Sequence, residues 1–137
     1  MQPFDEERSQ VLNTFTTQCE VTTVGTPEFV DITEQVEKAV GESGISDGRV
    51  VLFASESGCA LLLNEKESGL LSDLKGTIER LRPHTNGSGR SLVGSTSLTI
   101  PIVGGRVALG TWQRVLLVGL DEPGSRSISV QIVGERG

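Results

Sequence analysis

Gly110-Thr111-Trp112-Gln113 is the segment that best indicates the fold of this 137-residue chain. It contains the only tryptophan of a sequence that has no tyrosine and four phenylalanines. Apolar runs flank it at residues 106–109 and 113–120, and both runs predict β-strands. The segment is therefore predicted to connect two strands of a sheet.

Further strands are predicted on both sides of this connection. Residues 11–24 are rich in Thr and Val and alternate in character, which places Cys19 and Val21 on one face of a long strand. Residues 49–54 form a run of continuous apolar character, which predicts a central strand. Shorter strands are predicted at residues 59–63, 95–103 and 126–133. Turns are predicted at Asp47-Gly48, at Gly104-Gly105 and at residues 121–124, the last of which would join two strands as a hairpin.

Two helices are predicted in the first two thirds of the chain. The first begins at Asp31, whose carboxylate is suited to cap free backbone N–H groups, with Glu34 reaching back as in a capping box. Its apolar stripe is followed by Gly41 and Gly44, which favour a helix end. The second helix is predicted from Ser68, as its cap, to Arg82. Its apolar stripe is Leu70, Leu71, Leu74, Ile78 and Leu81, and Pro83 is predicted to stop it.

This order of elements predicts an α+β fold with a largely antiparallel β-sheet or sandwich and two main helices packed on one face. The length suits a single domain, predicted at residues 11–137, after a flexible N-terminal segment at residues 1–10. Ser, Thr and Val alternate on the sheet face that the helices leave uncovered. A subunit interface is expected to cover that face.

The composition excludes several classes of function. A net charge of −6 argues against nucleic acid and against an anionic membrane surface as partners. The two cysteines, Cys19 and Cys59, set no disulfide framework and are interpreted as buried thiols in a reducing compartment. No apolar run is long enough to span a membrane, and the acidic start lacks the features of a signal peptide. The predicted location is the cytoplasm.

Several motifs occur together in the order and spacing of one known family. They are Asp31-Ile32-Thr33 with Val36 and Val40; Ser43-Gly44-Ile45 with Gly48; Leu63-Asn64-Glu65 with Asp73; and Ile100-Pro101-Ile102, the segment from Leu109 to Gln113, Asp121 and Pro123. On these residues, from about residue 11 to 134, the chain resembles the YjbQ-like family, also called the secondary thiamine-phosphate synthase family. The resemblance implies an α+β fold and a homotrimer. It also implies a link to thiamine-phosphate synthesis, an activity ascribed to some members.

The chain departs from the family pattern where that family carries histidines. Counting back from Asn64, the histidine of a His-Thr-Thr triplet falls on Glu56, and its threonines fall on Ser57 and Gly58. The segment that should carry a later histidine is much shorter here and holds only His84. A family glutamate falls on Gly119, and a family arginine falls on Gly124, with Arg126 close by as a substitute. The resemblance therefore implies that the usual chemistry is lost or remodelled.

Two glutamates are the candidate catalytic residues. Glu56 occupies the position of a family histidine and is a candidate general acid or base, or else a solvated loop carboxylate. Glu65, with Asn64 beside it, keeps the family pair where an apolar strand ends. Asn64 is either a ligand-binding residue or a helix cap. Asp73 keeps its family identity as a candidate ligand-binding residue, although a surface carboxylate is the simpler interpretation.

Three further residues are candidate ligand contacts. Trp112 and Gln113 are expected either to stack a flat ring in a pocket or, for Trp112, to anchor the sheet or the trimer interface. Arg126 is a candidate for binding a phosphate group, as are Arg90 and Arg114, although isolated arginines are usually solvated. His84 is the only histidine, and a zinc site takes several His, Cys or carboxylate ligands, so no metal is predicted, and no cofactor is assigned. Cys59 lies in an apolar run and is interpreted as a core residue.

Two hypotheses of function follow. The first is a trimeric binding or structural homologue that has lost the catalytic histidines of the family. The second is an enzyme of altered mechanism that acts on a phosphorylated small molecule, with Glu56 and Glu65 as acid–base groups and weak thiamine-phosphate synthase-like activity. Convergence of Glu56, Asn64, Glu65 and Trp112 or Arg126 on one cleft would favour a ligand site.

Overall fold

The computed structural model describes residues 11–25, 27–56, 58–65, 67–85 and 94–137, with the backbone alone at 82–85. The segment predicted to be flexible, residues 1–10, lies outside the described residues, as does most of the loop after the second helix. The elements, in chain order, are β1 (Asn13–Thr23), β2 (Glu28–Asp31), α1 (Thr33–Ser43), β3 (Ile45–Ala54), β4 (Cys59–Glu65), α2 (Ser68–Thr85), β5 (Ser97–Val103), β6 (Arg106–Val107), β7 (Gln113–Gly119) and β8 (Gly124–Arg136).

Five strands form one antiparallel sheet in the order β1-β8-β3-β5-β6. Strand β3 is its middle strand, so the prediction of a central apolar strand is confirmed. Alternate residues of β8, including Ile128, Val130 and Ile132, are fully buried, whereas the residues between them face outward. Buried and outward-facing residues alternate in this way when a sheet packs one face against a core.

The other three strands form a second antiparallel sheet in the order β2-β7-β4. The residues just before β5 join the two sheets: Ser95 exchanges backbone hydrogen bonds with Leu61 of β4, and the Thr96 carbonyl accepts one from Ala54 of β3. The sheets therefore curl around one core as a half-barrel. The prediction of an α+β fold with largely antiparallel sheets and two helices is confirmed.

Helix α1 packs into the core that the two sheets share. Val36, Ala39 and Val40 on one side of this helix are buried together with residues of both sheets. Gly44 ends α1 in the left-handed conformation, with φ of 71°, as predicted. Asp31, however, is the last residue of β2 and precedes the N-cap position, which Ile32 occupies without a side-chain hydrogen bond. The Asp31 Oδ1 nevertheless accepts from the Thr33 N–H at 3.0 Å, so the prediction that Asp31 caps a free N–H of the first turn is confirmed. The capping box is wrong, because Asp31 lies one residue before the N-cap position.

Helix α2 covers the second face of the three-stranded sheet. Ala60, Leu116 and Val118 lie on the face that points away from the shared core, yet all three are buried. Ile78 of α2 is buried outside the shared core as well. The helix begins as predicted at Ser68, but the Glu67 carboxylate accepts hydrogen bonds from the free N–H groups of its first turn, so Ser68 is not its cap.

Three other sequence predictions need correction. Asp47-Gly48 is not a turn but part of β3, because Gly48 allows close approach to Gly134 of the neighbouring strand. Pro83 does not stop α2, which continues to Thr85. A proline removes one backbone hydrogen bond and crowds the preceding turn, but the helix can continue past it with a kink. Residues 121–124 do form a turn, but it joins strands of different sheets rather than a hairpin. The Gly104-Gly105 hairpin turn is confirmed, with φ positive at both residues.

The strand termini define two ends of the half-barrel, named here after the termini of β7. At the Gly119 end, β1, β3 and β7 end and β2, β4 and β8 begin. At the Gln113 end, β7 begins and β2 and β4 end. Among the described residues, no helix is both long enough and apolar enough to cross a membrane.

Candidate functional site

Glu56 and Arg126 lie at one corner of the Gly119 end, called the Arg126 corner below. Ala54, the last residue of β3, is the cross-strand partner of Ile128 in β8. Glu56 follows Ala54 by two residues, and Arg126 precedes Ile128 by two. The strand register thus places both residues beyond the same cross-strand pair. Because side chains repeat every two residues, Arg126 shares the inner face of β8 with Ile128.

The Arg126 guanidinium carries a buried donor that the fold does not satisfy. Its Nη2 donates to the carbonyl oxygen of Glu122, whereas its Nε is buried and has no hydrogen-bond partner among the described residues. A buried unsatisfied donor costs about 1–3 kcal/mol, and more when the group is charged. An acceptor from outside the chain, an anion above all, would remove this cost.

Thr23 fixes the backbone from which Arg126 extends. Its buried hydroxyl accepts a hydrogen bond from the Gly124 N–H and donates one to the Gly124 carbonyl, both at 3.2 Å. One hydroxyl can fill both roles because it has a donor and two lone pairs. The start of β8, and with it Arg126, is thereby tied to the end of β1.

The other candidate residues on strands lie at the Gln113 end. Glu65 is the cross-strand partner of Gln113, and Asn64 is the partner of Arg114. The Asn64 Oδ1 accepts a hydrogen bond from the N–H of Glu65 at 2.8 Å, so Asn64 does not cap α2. These side chains lie where a strand pair ends, as the sequence predicted for Asn64 and Glu65.

Trp112 is exposed at the tip of a turn that Gln113 closes. The Gln113 Oε1 accepts from the Gly110 N–H at 2.8 Å, and the Gln113 N–H donates to the Gly110 carbonyl at 3.1 Å. The Trp112 side chain is 74% exposed, so the prediction that it anchors the sheet of its own chain is wrong. A role for Trp112 in a ligand contact or a subunit interface stays a prediction.

The candidate residues therefore form two groups rather than one cleft within a single chain. Glu56 lies three residues before Cys59, the first residue of β4, and Glu65 is the last residue of that strand. At a rise of about 3.3 Å per residue, the seven-residue strand between them spans roughly 20 Å. Asp73 belongs to neither group, since it lies on the exposed side of α2, where its carbonyl accepts from the Thr77 hydroxyl. The roles assigned to all these residues stay predictions.

Sequence reasoning missed an ion pair at the Gln113 end. Arg114 Nε donates to Asp31 Oδ2 at 2.7 Å, and the Asp31 side chain is 10% exposed. Burial alone would raise the pKa of Asp31, but hydrogen bonds from Thr33 and Arg114 outweigh burial and lower that pKa. Arg114 itself was the signal for an ion pair, because it is a charged residue next to an apolar run. A charged residue on a buried strand needs a partner.

The two thiols are buried and form no disulfide bond. Burial, assisted by the charge of Glu20, raises the pKa of Cys19, which disfavours its thiolate. The Cys59 Sγ donates to the Glu56 carbonyl at 3.6 Å, and Cys59 belongs to the shared core, in agreement with its interpretation as a core residue. No group of three or more His, Cys, Asp or Glu side chains within the described part of the chain is placed to hold a metal ion.

Comparison with known proteins gives a consistent result. The model of the family described as "UPF0047 protein YjbQ-like" matches residues 17–135. A UPF0047 protein of Archaeoglobus fulgidus is 34% identical over 76% of this chain and 90% of its own length, and one of Methanothermobacter thermautotrophicus is 32% identical over 79% and 84%.

A solved structure gives the same answer for the fold. A YbjQ-like protein of unknown function from Sulfolobus solfataricus superposes with a TM-score of 0.84 at 32% identity, covering 91% of this chain and all of that one. None of these three similar proteins, from Archaeoglobus, Methanothermobacter and Sulfolobus, has a name that states an activity. The chain belongs to the YjbQ-like UPF0047 family, whose function is uncharacterised.

Proposed function

We propose that this protein is a homotrimeric binding homologue within the YjbQ-like family, which holds a phosphorylated small molecule at the Arg126 corner. One observation carries the proposal: the Arg126 Nε is buried, belongs to a charged group and has no acceptor in the part of the chain that the structure describes. Guanidinium groups bind phosphate through paired, charge-assisted hydrogen bonds. A phosphate oxygen would supply the acceptor that Nε lacks once the groups that cover Nε move aside.

The separation of the two glutamates favours binding over catalysis. Acid–base catalysis by a carboxylate pair needs both groups within hydrogen-bond reach of one substrate. Glu56 and Glu65 lie at opposite ends of β4, so a single chain offers no such pair. Glu56 stands where the family has a histidine, and His84 is the only histidine of the chain. We therefore propose that this protein lacks the proton-transfer chemistry of the family histidines.

The trimer is proposed from the resemblance and from one sheet face. The outer face of the five-stranded sheet carries Val51, Phe53, Pro101 and Val103 on neighbouring strands. Phe53 is 44% exposed on the middle strand of that sheet, where α1 and the second sheet do not reach. An interface between copies would bury this apolar surface.

Sedimentation equilibrium tests the trimer. Wild-type protein is expected to sediment as a trimer at micromolar concentration. Phe53→Asp is expected to dissociate it, because the charge would be buried in the interface. Leu81→Asp, a matched change at an exposed apolar residue of α2, is expected to leave it intact. A wild-type monomer, or equal behaviour of both variants, would refute this part of the proposal.

Thermal-shift measurements with phosphate monoesters, including thiamine phosphate and pyrimidine phosphates, test the ligand. A ligand at a hundred times its Kd stabilises the folded state by about 2.7 kcal/mol. Arg126→Gln is expected to abolish the shift, whereas Arg106→Gln, at an exposed arginine on β6, is expected to retain it. The proposal fails if no phosphate compound stabilises the protein or if Arg126→Gln responds as wild type does.

A second candidate function is an enzyme of altered mechanism with weak thiamine-phosphate synthase-like activity. The observation in its favour is that the strand register places Glu56 and Arg126 beyond the same cross-strand pair, Ala54 and Ile128. Turnover of thiamine-phosphate precursors by wild type, Glu56→Gln and Glu65→Gln is the test. If Glu56→Gln loses turnover but still binds phosphate, catalysis by this residue is supported. If the wild type shows no turnover, this second function is excluded.

A cytoplasmic location completes the proposal. Its support is that the two buried cysteines, Cys19 and Cys59, form no disulfide bond, since disulfides are rare in reducing compartments. Fractionation of cells that express the tagged protein is the corresponding measurement. Recovery with periplasmic or secreted markers would contradict it.

A further inference from the structure

A cleft of about 490 Å³ separates the β1–β2 connection from the first turns of α2. Its volume falls within the range of about 300–1,000 Å³ that is usual for small-molecule sites. It lies on the α2 side of the three-stranded sheet, whereas Arg126 lies on the inner face of the five-stranded sheet. The cleft is thus distinct from the proposed phosphate site.

One part of the cleft lining is apolar. Val24, Pro27 and Phe29 contribute from the β1–β2 connection and the start of β2, and Leu71 contributes from α2. Val24, which directly follows β1, is 79% exposed, although β1 itself places its apolar side chains on the inner face. An aromatic ring or branched hydrocarbon in the cleft would cover Val24 and Phe29 together.

The α2 part of the lining carries polar groups in a row. Ser68, Ser72 and Lys75 all line the cleft, and they are spaced four and three residues apart. Residues at this spacing lie on one face of a helix. The row therefore presents two hydroxyl groups and one ammonium group beside the apolar surface.

The cleft lining carries two charged residues, Glu28 and Lys75, and they differ in their partners. Glu28 is the acidic residue of the lining, but its Oε2 accepts from the N–H groups of Val24, at 2.6 Å, and Gly25, at 2.8 Å. Its negative charge is held against the turn. Lys75 makes no ion pair with any of the residues that the structure describes. The cleft thus offers an ammonium group, without an ion-pair partner among the described residues, next to an apolar surface.

We infer that this cleft binds a small aromatic anion, with the ring against Phe29 and Leu71 and the anionic group on Lys75. The Ser68 and Ser72 hydroxyls supply further hydrogen bonds to the anionic oxygens. This site goes beyond the proposed function, because it uses no residue of the Arg126 corner and needs no phosphate.

Fluorescence titration with anilinonaphthalene sulfonate, an aromatic anion, tests the inference. One probe per chain is expected to bind. Lys75→Gln is expected to weaken binding about tenfold, the usual effect of a lost charge-assisted hydrogen bond. Lys38→Gln, at an exposed lysine of α1, is the matched control and is expected to bind as wild type. Circular dichroism of both variants verifies that α2 is folded.

Two competitors separate this cleft from other sites. Benzoate is expected to displace the probe, whereas inorganic phosphate, which lacks a ring, is not. The uncharged N-phenylnaphthylamine is expected to bind about tenfold more weakly than the sulfonate. The inference is overturned if Lys75→Gln binds as wild type or if Lys38→Gln weakens binding equally. Displacement by inorganic phosphate would overturn it too, because the probe would then occupy the Arg126 corner.

Discussion

Arg114 and Asp31 form an ion pair, 2.7 Å long, that joins β7 to the end of β2. The second Asp31 oxygen accepts from the Thr33 N–H at 3.0 Å, and the Thr33 hydroxyl accepts from the Val115 N–H at 2.8 Å. Two adjacent residues of β7 are thus bonded to the segment that leads from β2 into α1. The Asp31-Ile32-Thr33 motif has a structural function here, because it fixes α1 against the three-stranded sheet.

Replacement of Asp31 by Asn should destabilise the fold. The loss of charge weakens the bonds from Arg114 and Thr33, and we expect the free energy of unfolding to fall by about 2 kcal/mol. Glu34→Gln is the control, because Glu34 is 94% exposed and lies 3.7 Å from the same guanidinium. A change of less than about 0.5 kcal/mol is expected there. Urea denaturation of both variants measures the difference, and equal effects would contradict this account.

The contribution of Asp31 should depend on pH. Its pKa is lowered in the folded state, so the unfolded chain takes up the proton first as the pH falls. The stabilisation is therefore complete above the unfolded pKa of about 4 and is lost as the pH falls through the folded pKa below it. Unfolding curves at several pH values should show the difference between wild type and Asp31→Asn shrinking below about pH 4. A difference that is constant with pH would argue against the ion pair.

Gly48 and Gly134 are cross-strand partners that no larger residue can replace without movement of the backbone. A Cβ on Gly134 would lie 2.1 Å from the Asp47 carbonyl oxygen, and one on Gly48 would lie 2.0 Å from that of Val133. We expect Gly134→Ala to lower the free energy of unfolding by about 2–3 kcal/mol. Gly41→Ala, in an exposed part of α1 with no atom within 4 Å of the added carbon, should instead stabilise by about 0.5–1 kcal/mol. Chemical denaturation gives both values, and a neutral Gly134→Ala would refute the close approach.

Gln113→Ala should free the turn that presents Trp112. The variant loses the hydrogen bond from the Gly110 N–H, at a cost of about 1 kcal/mol in stability. Trp112 is the only tryptophan, so its fluorescence anisotropy reports this turn alone, and we expect a faster decay in the variant. Gln35→Ala, on the exposed side of α1, should leave the decay unchanged. An unaltered decay in Gln113→Ala would show that other contacts hold the turn.

The cap of α2 can be tested by comparing Glu67 with Ser68. The Glu67 carboxylate accepts from the N–H groups of Gly69 and Leu70, at 2.8 and 2.7 Å, and these bonds lower the pKa of Glu67. We expect Glu67→Ala to lower the thermal midpoint more than Ser68→Ala does. Circular dichroism melts provide the comparison. The reverse order would restore Ser68 as the cap.

The local elements were largely predictable because their signals are local. Alternation from Asn13 to Thr23 requires only that one face of a strand be buried, and Gly44 ends α1 because glycine adopts positive φ without strain. The motifs around Trp112 indicated the family for the same reason, since they can be compared without knowledge of distant contacts. Asp47-Gly48 misled the prediction because the same dipeptide suits a tight turn and a close approach between strands.

The candidate site was less predictable, because it depends on contacts that are distant in sequence. The sequence indicates Arg126 from its position near a family arginine, but that its Nε is buried and finds no acceptor among the described residues follows only from the packing of β8. The cleft beside α2 combines Phe29 with Lys75, and no spacing in the sequence relates these residues.

The sequence by itself determined the class of fold, the family and the replacement of the family histidine by Glu56, because residue identity and periodicity are written along the chain. The tertiary structure alone decided that β7 and β8, joined by a short turn, belong to different sheets. It also decided that Glu56 and Glu65 lie at opposite ends of β4. The physical reason is that sheet membership is set by which faces can be buried together, and that choice involves strands from the whole chain.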